Sequence, residues 1–355
     1  MNDTTRKTSP KISAIIPIYP KTSEKQLQRL LKHLADQSLT NYEAVFVVDA
    51  GCGRLRRKIL EAKGTDERIR CFRAVDGADM RATGLSHAKG RRVIFLRPEF
   101  RLKSDAFETL ESAGRNYSAD IVMSRYSVKK PDGEVSRSGE GKGVPFDEAV
   151  CAVRKPEYLK NVYGSGIGML YRRKFLKENG IAPGVCGRCI DVSFIWRALL
   201  LSKRTVRINY SPVIVSQSME YPKEPEDVIK LMDSFSALLP EIWKIGDEGL
   251  LKNVGHSACS MLELLSELPY NPGYKEAITD FLRLPPLGMM AASKIRKMLN
   301  TDVDSAFEEI EAINKMKCVG SCEISEDEYM KRNNILQNKI LNRHMLRECI
   351  DSRDA

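Results

Sequence analysis

Along the first 220 residues, short apolar runs alternate with segments of helical periodicity, and this order restricts the fold more than any other feature. "ISAIIPIY" (Ile12 to Tyr19) is almost continuously apolar, as expected of a strand buried on both faces. Ser23 with Gln26 three residues on is a capping-box signature. Leu27, Leu30, Leu31 and Leu34 then recur at helical spacing. "EAVFVVDAG" is a second strand ending at Asp49 and Gly51, "IRCFRAV" a third, "RRVIFL" a fourth and "ADIVMSRYSV" a fifth, followed by the turn "PDGE". Between the third and fourth strands "ADMRATGLSHAKG" reads as a helix with Gly90 as its C-cap. The βαβα order predicts a mostly parallel, twisted, Rossmann-like sheet with helices on both faces. Ligands of such sheets bind beyond the carboxyl ends of the strands, where Asp49, Gly77 and the stretch Arg97 to Glu99 fall.

Residues 135–165 are Gly-rich and irregular, a candidate loop over that site. "IGMLYRRKFLKENG" reads as strand then helix. "IDVSFIWRALLLSK" is a helix with Val192, Ile195, Trp196, Leu199 and Leu200 on one stripe, and "RTVRINYSPVIVSQ" is extended. From about residue 225 the pattern is helical, with a stripe of Val228, Leu231, Met232, Phe235, Leu238 and Leu239, and "SEDE" caps a last helix. Charge divides the chain at the same place. Residues 1–220 hold 40 Lys/Arg against 24 Asp/Glu, and residues 221–355 hold 17 against 23. The expected organisation is a disordered lead-in at 1–10, an α/β domain at 11–220 and an acidic helical region at 221–355.

A basic first part suits phosphate-bearing ligands or an anionic membrane surface. Nucleic acid is not expected as a partner, because no basic stretch is interleaved with aromatics and no zinc-finger spacing occurs. The polar start "MNDTTRKTSPK" lacks the apolar stretch of a secretory signal, and no apolar run approaches a membrane span, so a cytoplasmic location is expected. The 9 cysteines then read as free thiols. Cys186 and Cys189 have CxxC spacing and Cys318 and Cys322 lie four apart, but one CxxC with four scattered histidines is a weak zinc signal.

Five blocks of the first part resemble the family 2 glycosyltransferases, enzymes of GT-A fold that use nucleotide-sugar donors. "ISAIIPIYP" is similar to the family's opening strand at Pro17 and Tyr19, with Pro20 for the usual Asn. "FVVDAGCG" keeps Asp49 and Gly51 and has Ala50 for a second Asp. "GADMRATGLSHAKGRRVIFL" keeps Gly77, Arg81, Gly84, Ala88, Lys89 and Gly90. "SGIGMLYRRKFLKENG" and "IDVSFIWRALLLSKRTVRINYSPVIV" fall where the family has similar segments. The resemblance implies a donor site with Pro17, Tyr19, Asp49, Gly77 and Arg81. It also implies Asp191, the survivor of the family's Glu-Asp pair, as the base that deprotonates an acceptor hydroxyl on a glycan or lipid.

The departures fall on the chemistry. The family's turn after the fourth strand carries aspartates that hold Mn or Mg against the donor diphosphate. Here it reads "FLRPEF", with Arg97 at the first carboxylate and Glu99 as the remaining candidate ligand. The histidine that often follows the last strand is absent at "VSQS". A guanidinium cannot ligate a metal, but it can neutralise diphosphate through charge-assisted hydrogen bonds. Each candidate also has a plainer role. Asp49 before glycine is ordinary turn chemistry, Tyr19 is a half-buried strand tyrosine, Lys89 is a solvated charge, and Asp191 opens a helix as a first-turn acid. The expectation is a family 2-like glycosyltransferase of glycan biosynthesis, with peripheral membrane contact in view. Its alternative is a catalytically degenerate GT-A domain acting as a nucleotide-binding or scaffolding module.

Overall fold

The computed structural model describes residues 9–75, 77–130, 132–138, 145–155, 166–184 and 192–216. The acidic region, Asp191 and the pairs Cys186/Cys189 and Cys318/Cys322 lie outside the described residues. The strands and helices α1 to α5 belong to one compact unit, which α6 joins from Phe194 onward.

In chain order the elements are β1 (Ile12–Ile18), α1 (Glu24–Ala35), β2 (Tyr42–Val48), α2 (Gly53–Thr65), β3 (Ile69–Arg73), α3 (Met80–His87), β4 (Arg92–Phe95), β5 (Arg101–Leu102) and α4 (Ala106–Asn116). They continue with β6 (Ile121–Lys129), β7 (Val135–Ser138), β8 (Ala149–Val150), β9 (Met169–Arg172), α5 (Arg173–Glu178), α6 (Val192–Leu201) and β10 (Thr205–Ser216). The sheet runs β3-β2-β1-β4-β9-β6-β10-β5, with β7 on β6 and β8 on β10. From β3 to β4 every pairing is parallel. Beyond β4 the sheet is mixed, because β9 runs antiparallel to both β4 and β6 while β10 is parallel to β6.

Every residue of β1 and β2 is buried, because the sheet is covered on both faces. Ile12, Ala14, Ile16 and Ile18 join Leu27, Leu30 and Leu34 of α1 and Leu110 of α4 in the larger core. Ile15, Val45 and Val93 point the other way and pack with Ala88 and Leu85. The alternation of side chains along a strand thus supplies two cores from one apolar run. Ser23 and Gln26 form the expected capping box of α1.

The structure corrects the expectation for Gly90. Helix α3 ends at His87 with Ala88 as C-cap. Gly90 lies buried against β1, and a Cβ there would stand 2.5 Å from the Ser13 backbone nitrogen. Its N–H donates to Ser13 Oγ at 2.8 Å and to Glu43 Oε1 at 3.2 Å. Burial opposes the charge on Glu43. Hydrogen bonds from Ser13 Oγ, the Lys89 N–H and Arg70 outweigh it and hold the carboxyl below its ordinary range. Gly90 is therefore required by close approach rather than by helix termination.

Candidate functional site

β1, β2 and β4 are parallel neighbours, so their carboxyl ends open on one edge of the sheet. The chain leaves β1 and β4 in the same way. The Thr22 N–H donates to the Tyr19 carbonyl at 2.9 Å, and the Phe100 N–H donates to the Arg97 carbonyl at 3.0 Å. Each is a four-residue turn with proline second, at Pro20 and Pro98, where the fixed proline φ suits the turn. Pro20 and Pro98 are thus turn-forming residues flanking the site, a role their X-Pro context carries in the sequence. Phe100, 3% exposed, anchors the second turn in the main core.

Pro17 is buried inside β1, paired in register with Val47. The Ile15 carbonyl accepts from the Leu96 N–H at 2.9 Å, so odd residues of β1 address β4. β4 ends at Phe95, and the N–H that proline lacks would face a position beyond that ladder. A proline is therefore tolerated at the end of a central strand.

Arg97 and Glu99 close on each other across the second turn, with Nη2 2.6 Å from Glu99 Oε1 and side chains 38% and 17% exposed. The Arg97 guanidinium also lies 5.9 Å from the Phe100 ring. Arg81, at the start of α3, makes a second pair of the same kind. Its Nε and Nη2 donate to Asp79 Oδ1 and Oδ2 at 3.1 and 2.8 Å, and Nη2 reaches the Gly184 carbonyl at 3.3 Å. Asp79 is the N-cap of α3 and accepts from the Arg81 and Ala82 N–H groups. This buried aspartate was not among the sequence candidates, although an Asp directly ahead of "MRATGL" is a readable N-cap signal.

Tyr19, just past β1, feels both pairs. Burial raises its hydroxyl pKa; Arg81 and Arg97 pull it down, and Asp79 and Glu99 push it up. Those four charges therefore all act on one half-buried phenol. Asp49 follows β2, where its Oδ1 accepts the Gly51 N–H at 2.8 Å in an Asx turn and its carbonyl accepts from Cys52 at 3.0 Å. Asp49 Oδ2 makes no hydrogen bond within the described residues. Gly77 precedes α3 with φ +73°, in the left-handed region that favours glycine. Lys89 is exposed. The structure thus brings Tyr19, Arg81, Arg97 and Glu99 together and puts Asp49 at the end of the next strand.

The residues at this turn do not fit a divalent cation. Glu99 is engaged by Arg97 and Asp79 by Arg81, so a cation would compete with a guanidinium for either carboxylate. Among the described residues no three His, Cys, Asp or Glu side chains come together as a cation site.

Residues 13–180 match the family model described as glycosyl transferase family 2. The match covers a little under half of the chain and marks this segment as similar to that family. Among solved structures the chain is similar to S. aureus TarS 1–349, at TM-score 0.58 and 16% identity over 94% of this chain and 92% of that one. TarS 1–349 in complex with UDP is similar at TM-score 0.54 and 16% identity, with the same shares covered. TarS 1–349 in complex with UDP-GlcNAc is similar at TM-score 0.52 and 15% identity over 86% of this chain and 91% of that one. These likenesses establish a GT-A-like α/β fold. No curated protein matches the sequence. No helix among the described residues is long and apolar enough to cross a membrane.

Proposed function

We propose that this chain transfers a sugar from a nucleotide-sugar donor to a hydroxyl of a glycan or lipid-linked acceptor. The observation that carries the reading is the two arginine–carboxylate pairs, Arg81–Asp79 at the start of α3 and Arg97–Glu99 in the turn after β4, at the carboxyl edge of the sheet. A donor diphosphate is a compact dianion. Guanidinium groups bind such oxygens through charge-assisted, often bidentate hydrogen bonds. In this reading Arg97 and Arg81 meet the diphosphate, Tyr19 lies against the nucleoside, and Asp49 Oδ2 accepts from the base. The similar TarS structures with UDP and UDP-GlcNAc favour a uridine nucleotide.

Transfer needs a base for the acceptor and a stabiliser for the leaving group. Asp191, outside the described residues, takes the acceptor hydroxyl proton in this proposal. The acceptor oxygen bonds to the anomeric carbon as the bond from that carbon to the diphosphate oxygen breaks. Charge then builds on the departing diphosphate, where Arg97 stabilises it. No step passes through a metal. We place the boundary of the donor domain at about residue 220, where the charge balance reverses.

One observation favours a second reading. Both arginines are already compensated by a carboxylate two residues away, as in a surface kept neutral rather than open to anions. A degenerate GT-A module that scaffolds a partner would tolerate that arrangement. A screen of nucleotide-sugars with and without manganese, reading free nucleotide and transferred sugar, separates the two. Turnover of any donor supports the enzyme, and nucleotide binding without turnover in any condition supports the module.

A further inference from the structure

Helix α1 supports the Arg97 turn from behind with a polar stripe. Arg29 and His33 lie four residues apart on one face, and Gln37 follows just past the C-cap Asp36. Arg29 Nη2 donates to the Glu99 carbonyl at 3.3 Å, and the Leu102 N–H donates to His33 Nδ1 at 3.2 Å. Gln37 Nε2 donates to the Lys103 carbonyl at 2.8 Å, while its Oε1 accepts the Phe107 N–H at 3.1 Å. The backbone leaving the donor turn is thus bound by α1 and the residue just past its C-cap, from Glu99 to Phe107. Core packing does not require this stripe, since Leu27, Leu30 and Leu34 already bury the apolar face of α1.

The middle rung is conditional. An imidazole nitrogen accepts a hydrogen bond while it carries no proton. His33 is faced by Arg29, Lys32 and Asp36 from its own helix and by Arg101 from β5. Burial, then Arg29 and Arg101, lower its pKa from the ordinary 6.5, with Asp36 opposing. Protonation at Nδ1 would set an N–H against the Leu102 N–H and add a cation beside two arginines.

We propose that neutral His33 is a positioning residue for the donor turn, holding Leu102 so that the Arg97–Phe100 turn presents Arg97 to the donor diphosphate. This rests on the donor-site reading above. The sign follows from the depressed pKa. The contact is complete above the ordinary histidine value and is lost as pH falls through the lower folded value.

The test uses the full chain with His33→Asn, whose amide oxygen stands near the Nδ1 position and does not titrate, and with His33→Phe, which removes the acceptor. Amide exchange at Phe100 and Leu102 and calorimetry with UDP are measured at about pH 7.5 and about pH 5, on either side of the histidine range. On acidification the wild type is expected to lose protection at both amides, once intrinsic rates are corrected, and about threefold to tenfold in UDP affinity, the scale of one lost hydrogen bond. His33→Asn should hold both quantities steady relative to the wild type, and His33→Phe should be weak at both pH values. Parallel losses in the wild type and His33→Asn, or unchanged protection in the wild type, would overturn the proposal. UDP binding by no variant at any pH would refute the donor reading instead, and the exchange data would still decide whether His33 holds the turn.

Discussion

Glu99→Gln separates the two roles open to the turn by the sign of its effect. Glu99 Oε1 lies 2.6 Å from Arg97 Nη2, with the two side chains 17% and 38% exposed. An incoming diphosphate must take the guanidinium from that carboxylate and tolerate the negative charge left beside it. A partly exposed ion pair is worth about 0–1 kcal/mol, so removing the competitor frees up to about 1 kcal/mol, close to fivefold in affinity. Glutamine keeps the turn backbone, including the Glu99 carbonyl that Arg29 contacts, so stability should move by less than about 1 kcal/mol. The assay is calorimetry with UDP in chelator-treated buffer, wild type beside variant. Tighter binding by Glu99→Gln is the expected result. Weaker binding in chelator would refute the competition argument, and a loss seen only when manganese is present would make Glu99 a metal ligand.

Asp49→Ala should weaken UDP binding about tenfold, the scale of a hydrogen bond to a charged acceptor, and equal calorimetric affinities would remove Asp49 from the site. Gly90→Ala should destabilise the fold by about 1–3 kcal/mol through overpacking against Ser13 and Ile12, measured by urea unfolding, and an unchanged midpoint would contradict that contact. Limited proteolysis within "EYPKEPE", Glu220 to Glu226, should leave a core that still binds UDP. Loss of binding on cleavage would assign the acidic region to the donor site.

The parallel half of the fold was legible because burial on both faces writes itself into composition. β1 and β2 are apolar throughout, and the Ser23–Gln26 capping box marks where α1 begins. The antiparallel course of β9 was not legible, since an apolar run reports burial and not direction. Two-residue strands such as β5 and β8 leave no periodicity to read. At the site the sequence supplied Arg97 and Glu99 as isolated departures from a family pattern. That they form a closed pair depends on the Pro98 turn, which folds the chain back within four residues. Asp79 escaped notice because its chemistry is local. It caps α3 and holds Arg81 two residues on, a pairing with no long-range pattern. Gly90 looked like a helix stop, and only the distance to Ser13 reveals a close approach.

The central claim is that arginine charge meets the donor diphosphate at a turn where carboxylates and metal would otherwise do so. Turnover of a competent nucleotide-sugar across a manganese titration, beginning from chelator-treated enzyme, tests it most directly, with Arg97→Asp measured in parallel. The account predicts that the wild type works in chelator and gains little from manganese, whereas Arg97→Asp, with two carboxylates at the turn, acquires manganese dependence. Wild-type activity abolished by chelator and restored by manganese would contradict it.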